Sequence, residues 1–131
     1  MAVGGELRRR VVTVASLVRV PDLFTAPPDV VLGAALVVAG GRSVALTHLV
    51  GVAAVSVLLS AGGATLNDAV DAPRDAIANP DRPIPRGYVS RRAGFGLSGL
   101  FFVTAVLAAR ALATLAAGVT ALIVAAIVLY D

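Results

Sequence analysis

No cysteine occurs in the 131-residue chain, so disulfides, thiolate metal sites and cysteine nucleophiles are excluded. Lysine is missing too, and the formal charge of +3 comes from 11 arginines against 8 acidic residues. Aromatic residues are scarce, at 5%. A basic protein that binds nucleic acid needs a basic face with stacking aromatics, and here the second ingredient is lacking. Charge of either sign is sparse as well. Only 15% of residues are charged and 58% are hydrophobic, with a mean hydropathy of +0.90. A soluble domain holds about 45–50% apolar and about 25% charged residues. A chain this short cannot hide so much apolar surface from water, which indicates an integral membrane protein.

What is present falls into four apolar segments, expected as spans at about 23–40, 44–70, 92–109 and 111–130. The second is the clearest, because Leu49 to Leu66 carries no charge. With its flanks it reaches the roughly 20 residues that a bilayer-spanning helix needs. The first holds Pro27, Pro28 and Asp29, so it is expected to be shortened or kinked. Arg110 divides the last two, implying a tight helical hairpin. The fold expected is all-α: an integral membrane helical bundle of about four transmembrane helices, in a single membrane domain over 1–131.

The arginines give an orientation. Arg8, Arg9, Arg10 and Arg19 precede the first span, and Arg74, Arg82, Arg86, Arg91 and Arg92 lie between the second and third. Only Arg42 and Arg110 fall in the other two links. The positive-inside rule puts the N-terminus, the 71–91 link and the C-terminus in the cytoplasm, as in a multi-pass protein of the cytoplasmic membrane. The N-terminal basic run is no targeting signal, since Arg19 cuts its apolar stretch short and no small-residue cleavage site follows. Residues 5–20 suit an interfacial amphipathic helix with Leu7, Val11, Val14 and Val18 on one face. A plain positive-inside anchor is the alternative.

One link does not fit a greasy protein. "NDAVDAPRDAIANPDRPIPRG", residues 67–87, crowds aspartates, arginines and prolines between two apolar segments. On one continuous helix Asp68 and Asp75 would lie within about 20° of each other and Asp71 about 60° away. Like charges at these spacings repel, so the arrangement becomes favourable when a cation sits among them. Oxygen ligands without His or Cys point to Mg²⁺, commonly bound by one or two carboxylates together with substrate phosphates. Pro73 disturbs this geometry, because it breaks a helix interior. Asp71-Ala72-Pro73 can instead cap a new short helix, which keeps Asp68 and Asp71 convergent and leaves Asp75 open. The plainer alternative is that the aspartates solvate a helix end and offset Arg74. Arg82-Pro83-Ile84-Pro85-Arg86-Gly87 follows as a stiff turn with two guanidiniums, whose forks match phosphate oxygens. Carboxylates for metal beside arginines for phosphate suggest a diphosphate site at the mouth of a membrane cavity.

These residues resemble the first aspartate-rich signature of the UbiA superfamily of intramembrane prenyltransferases, N-D-x-x-D-x-x-x-D followed by a segment close to N-P-x-R-P-I-P-S-G. Asn67, Asp68, Asp71 and Asp75 match the first part; Asn79, Pro80, Arg82, Pro83, Ile84, Pro85 and Gly87 match the second. The resemblance implies a larger helical bundle in which two aspartate-rich motifs bind a prenyl diphosphate through Mg²⁺, with the prenyl tail in an apolar cavity. It implies catalytic and metal-holding roles for Asp68, Asp71 and Asp75, and diphosphate contacts from Asn67, Arg82 and, as a second clamp, Arg86. The expected partners are a prenyl diphosphate, an acceptor that the sequence does not identify, and membrane lipid. Arg86 replaces the signature's serine, and Ala69, Val70 and Pro73 stand where bulkier or charged residues are common. No second acidic motif follows, so a truncated or split member whose later half lies elsewhere is expected. The alternative is a non-catalytic subunit or degenerate fragment that keeps the signature.

The remaining patterns read as packing or surface. Gly94-x-Gly96-x-x-Gly99 has no preceding strand, so close helix packing explains it better than dinucleotide binding. Gly62 and Gly63 read the same way, with room for a prenyl tail as a further use. His48 stands alone, and Ser60 and Ser98 have no base beside them in the sequence.

Overall fold

The computed structural model describes residues 11–13, 15–17 and 26–131, with side chains from Pro28 onward in the last stretch. All regular structure among these residues is helical. In chain order the helices are α1 (Ala26–Ala39), α2 (Leu46–Val70), α3 (Ala72–Ala78), α4 (Arg91–Leu112) and α5 (Thr114–Tyr130). Residues 11–13 and 15–17 are helical as well. Of the apolar face expected at the N-terminus, only Val11 lies among the described residues, and it is exposed, whereas Leu17 is buried. Leu7, Val14 and Val18 lie outside them.

Pro27 and Pro28 occupy the first turn of α1. There the missing N–H has no partner to lose, so the prolines open the helix instead of kinking it. At its other end Gly41, at φ +79°, closes the helix, and the Arg42 N–H donates back to the Val37 carbonyl at 3.2 Å. With 25 and 22 residues, α2 and α4 are long and apolar enough to cross a membrane. At about 1.5 Å per residue both exceed the roughly 30 Å hydrocarbon core. The other two apolar helices are shorter, α1 with 14 residues and α5 with 17.

The centre of the fold is an antiparallel seam between α2 and α4. Gly51 faces the side chain of Leu112, Gly62 faces the ring of Phe102, and Ala69 faces Gly94. Ser98 Oγ donates to the Gly62 carbonyl at 2.9 Å. Val55, Ala105 and Ala109 are buried along the seam, flanked by Leu58, Leu59 and Leu112. Small residues let the backbones approach, which is how helices pack where apolar side chains gain nothing by leaving lipid. This reading holds for Gly94 but not for Gly96 and Gly99, which face open space. Nor does Gly62 leave room for a tail, because Phe102 fills the space beside it. α5 folds back on α4 and reaches α2, where Ile127 meets Gly63. Outward-facing Leu32, Leu36, Val50, Leu100, Leu107 and Leu122 are exposed. So continuous an apolar exterior suits hydrocarbon, not water.

The helical hairpin turns later than Arg110. α4 runs on to Leu112, and the break is the extended Ala113 (φ −167°, ψ 151°). Arg110 belongs to the last turn of α4, where a cation suits the negative end of the helix dipole. The 71–91 link is likewise not a loop throughout, since it contains α3.

Candidate functional site

Pro73 organises the end of α2. Having no N–H, it cannot continue the helix, and the chain restarts as α3 with the proline in its first turn. Asp71 sits at the junction (φ −77°, ψ −3°) and makes no side-chain cap to α3. Its carboxylate instead accepts from Asn67 Nδ2 at 2.7 Å. Arg74 lies 3.8 Å away with its side chain exposed, an ion pair of little energetic weight.

Two of the three aspartates meet across the break. Asp68 and Asp75 are buried, 4% and 6% exposed, and both accept from one nitrogen, Arg82 Nη1, at 3.0 and 2.6 Å. Asn79 Nδ2 donates to the other oxygen of Asp75 at 3.0 Å. Asp68 therefore converges with Asp75, the pair that spacing on one helix aligns, and the expectation that a break at Pro73 would keep Asp68 with Asp71 is corrected. Two carboxylates buried together carry a large desolvation cost, and the guanidinium between them offsets part of it.

The turn that carries Arg82 is tied down on both sides. Asn79 ends α3, and the Arg82 N–H donates to the Asn79 carbonyl at 3.1 Å. Pro83 is buried, the tip of Ile84 lies against Gly94, and the Tyr88 N–H donates to the Pro83 carbonyl at 3.0 Å. Gly87, at φ +75°, allows the exit. Ser90 then caps α4, its Oγ accepting from the Ala93 N–H at 3.1 Å. Arg86 is engaged elsewhere: its Nη2 donates to Asp81. That bond and the charge of Asp81, aided by Tyr88, raise the pKa of the Arg86 guanidinium.

Asp68, Arg82 and the 78–83 turn line a cleft of about 400 Å³, and Ser16 of the N-terminal helical segment lines it too. Sequence reading missed Ser16, and no motif marks it; only the placement of that segment brings it to the site. Partial desolvation, and then the charge of Asp71, push the Asp131 carboxyl above its usual range, so α5 ends near the same end of the bundle.

Among the described residues no group of three or more His, Cys, Asp or Glu side chains is arranged to hold a metal. The donor set is two buried carboxylates, oxygen only, already accommodating one positive nitrogen between them. Mg²⁺ asks for little more from a protein, because water and substrate phosphates complete its octahedron. An oxygen-only set of this kind suits Mg²⁺.

Bilayer-length helices with a carboxylate–guanidinium cluster where they end define a membrane-embedded helical protein with a polar site at one end of the bundle. The chain belongs to the UbiA prenyltransferase family, whose profile matches residues 30–131. It is 40% identical over 79 residues to the digeranylgeranylglyceryl phosphate synthase of Haloquadratum walsbyi, covering 60% of this chain and 28% of the relative. To the synthase of that name from Natronomonas pharaonis it is 41% identical over 93 residues, 71% of this chain and 33% of the relative. The one from Thermococcus kodakarensis is 42% identical over 79 residues, 60% and 28%. The chain thus matches about a third or less of these relatives' length. No solved structure matches it significantly.

Proposed function

We propose that this chain carries the diphosphate-binding end of a Mg²⁺-dependent prenyltransferase. The observation that supports it is the convergence of buried Asp68 and Asp75 on Arg82, beside a cleft that Asp68 and Arg82 line. Asp68 and Asp75 hold the cation. Asn79 orients Asp75, while Asp71 orients Asn67. Arg82 Nη2 and Nε have no partner among the described residues, and they are the donors offered to phosphate oxygens. Bound Mg²⁺ supplies electrostatic stabilisation of the departing diphosphate as the allylic C–O bond weakens. Arg82 adds to it from a position already fixed by the turn.

The relatives are named as synthases of digeranylgeranylglyceryl phosphate, and for this chain we take a geranylgeranyl diphosphate as donor and a prenylated glyceryl phosphate as acceptor. The arginine asymmetry supports four membrane segments with the 71–91 link on the cytoplasmic side.

The test is binding. Protein reconstituted in vesicles should retain a non-hydrolysable prenyl thiodiphosphate more tightly with Mg²⁺ than with EDTA. Asp75→Ala should remove that gain, and Asp29→Ala, at an exposed position in the first turn of α1, should keep it. Equal retention with and without Mg²⁺ by the wild type would falsify the reading.

A further inference from the structure

The break at Pro73, between Asp68 and Asp75, leaves two backbone acceptors to be satisfied. In an uninterrupted helix the N–H of residue 73 would donate to the Ala69 carbonyl and that of residue 74 to the Val70 carbonyl. Residue 73 is a proline, and the Arg74 N–H donates to the Asp71 carbonyl at 2.9 Å instead. Ala69 is fully buried, so water is a poor substitute. Both carbonyls are met by one side chain from another helix. Arg91 Nε donates to the Ala69 carbonyl at 2.7 Å, and its Nη2 lies 3.5 Å from the Val70 carbonyl. The Phe95 ring lies beneath the guanidinium, 5.4 Å from it, which holds the fork in place. Its charge also complements the negative end of α2. Gly94 allows the approach, because α4 comes so near that a Cβ there would lie 3.1 Å from the Ala69 side chain.

We propose that Arg91 is a positioning residue. It stands in for the N–H that Pro73 lacks and so sets the angle between α2 and α3 at which Asp68 and Asp75 meet. Its part in catalysis rests on the diphosphate reading above, whereas its part in the geometry does not. Arg91 touches neither carboxylate; it acts through the backbone carbonyls of Ala69 and Val70.

The experiment uses the full 131-residue chain in nanodiscs, with two readouts. Amide hydrogen exchange follows Asp71, Asp75 and Asn79, with α5 as the internal reference. Equilibrium binding of farnesyl thiodiphosphate with Mg²⁺ follows the site. Arg91→Met should speed exchange at those three amides and weaken binding, each by about tenfold, the scale of one lost charge-assisted hydrogen bond. Exchange in α5 should not change. Arg91→Lys, which still presents a cationic donor to the Ala69 carbonyl, should recover most of both. In a Pro73→Ala background, where an N–H is again available to that carbonyl, Arg91→Met should have a smaller effect on exchange. Faster exchange with unaltered binding would reduce Arg91 to a purely structural residue and overturn the proposal. Equal effects with and without Pro73 would overturn the stand-in role. A wild type that fails to bind the analogue defeats the diphosphate reading, and the exchange arms then decide the geometric role alone.

Discussion

Arg82 meets both buried carboxylates through one nitrogen, Nη1, and this division of its fork has a testable consequence. A lysine can place one ammonium where Nη1 sits, but it cannot offer the additional planar donors. Arg82→Lys should therefore leave thermal stability in detergent nearly unchanged while weakening binding of the diphosphate analogue. Arg82→Ala removes this cation from two buried carboxylates and should cost about 3 kcal/mol, the low end for a broken buried pair. The low end is appropriate because the Arg82 side chain is 33% exposed. If Arg82→Lys were as unstable as Arg82→Ala, the fork would be needed for folding itself. The motif made Asn67, Asp68, Asp71, Asp75 and Arg82 visible as residue types. Helical spacing aligned Asp68 with Asp75 but did not show that Asp71 would pair with Asn67 one turn back, or that the turn after α3 would bring Arg82 to both buried carboxylates. Arg86 was illegible for a similar reason, since its partner Asp81 is set by the turn.

Among the elements, the seam between α2 and α4 determines where the site sits, because it fixes the end of α2 against the start of α4. Gly62 is its tightest point: a Cβ there would lie 2.5 Å from the Phe102 ring. Gly62→Ala should destabilise the protein by about 1–3 kcal/mol, as overpacking does. Phe102→Leu in the same chain should recover most of the loss. Gly99 is the matched control, on α4 but facing open space, so Gly99→Ala should be neutral or slightly stabilising. Thermal unfolding of the three variants checks both statements, and a stable Gly62→Ala protein would mean the seam is looser than described. The apolar runs made the helices readable, but their ends followed local chemistry. Pro27 and Pro28 start α1 because the first turn needs no N–H, a position the sequence did not reveal. The hairpin breaks at Ala113, past Arg110, since a cation is well placed in a last helical turn. Ser90 is a good cap in a place where it went unread beside the arginines.

At the scale of the whole molecule, α2 descends to the motif, α4 leaves it, and α5 returns so that Asp131 lies near enough to feel Asp71. This supports putting both links at residues 40–45 and 113 on the face opposite the motif. The absence of native cysteine makes single-cysteine labelling clean. Arg42→Cys and Ala113→Cys should react with an impermeant maleimide from outside, while Arg74→Cys should be protected until the membrane is opened. External labelling at position 74 would reverse the orientation. The distribution of carboxylates leads to the final prediction. Of the 8 acidic residues, Asp68, Asp71, Asp75 and Asp81 gather at the motif, while Glu6, Asp22, Asp29 and Asp131 are scattered. A diphosphate with its metal is held best from opposite sides, and the family resemblance implies a second acidic motif facing the first. These 131 residues contain no second cluster. Reconstituted alone, they should show no prenyl transfer above background in an assay with radiolabelled geranylgeranyl diphosphate. Fused to, or co-expressed with, a later UbiA portion that carries the second motif, they should support transfer, and Asp68→Ala should abolish it. Turnover by the 131 residues alone would mean that one buried carboxylate pair and Arg82 suffice to activate the leaving group.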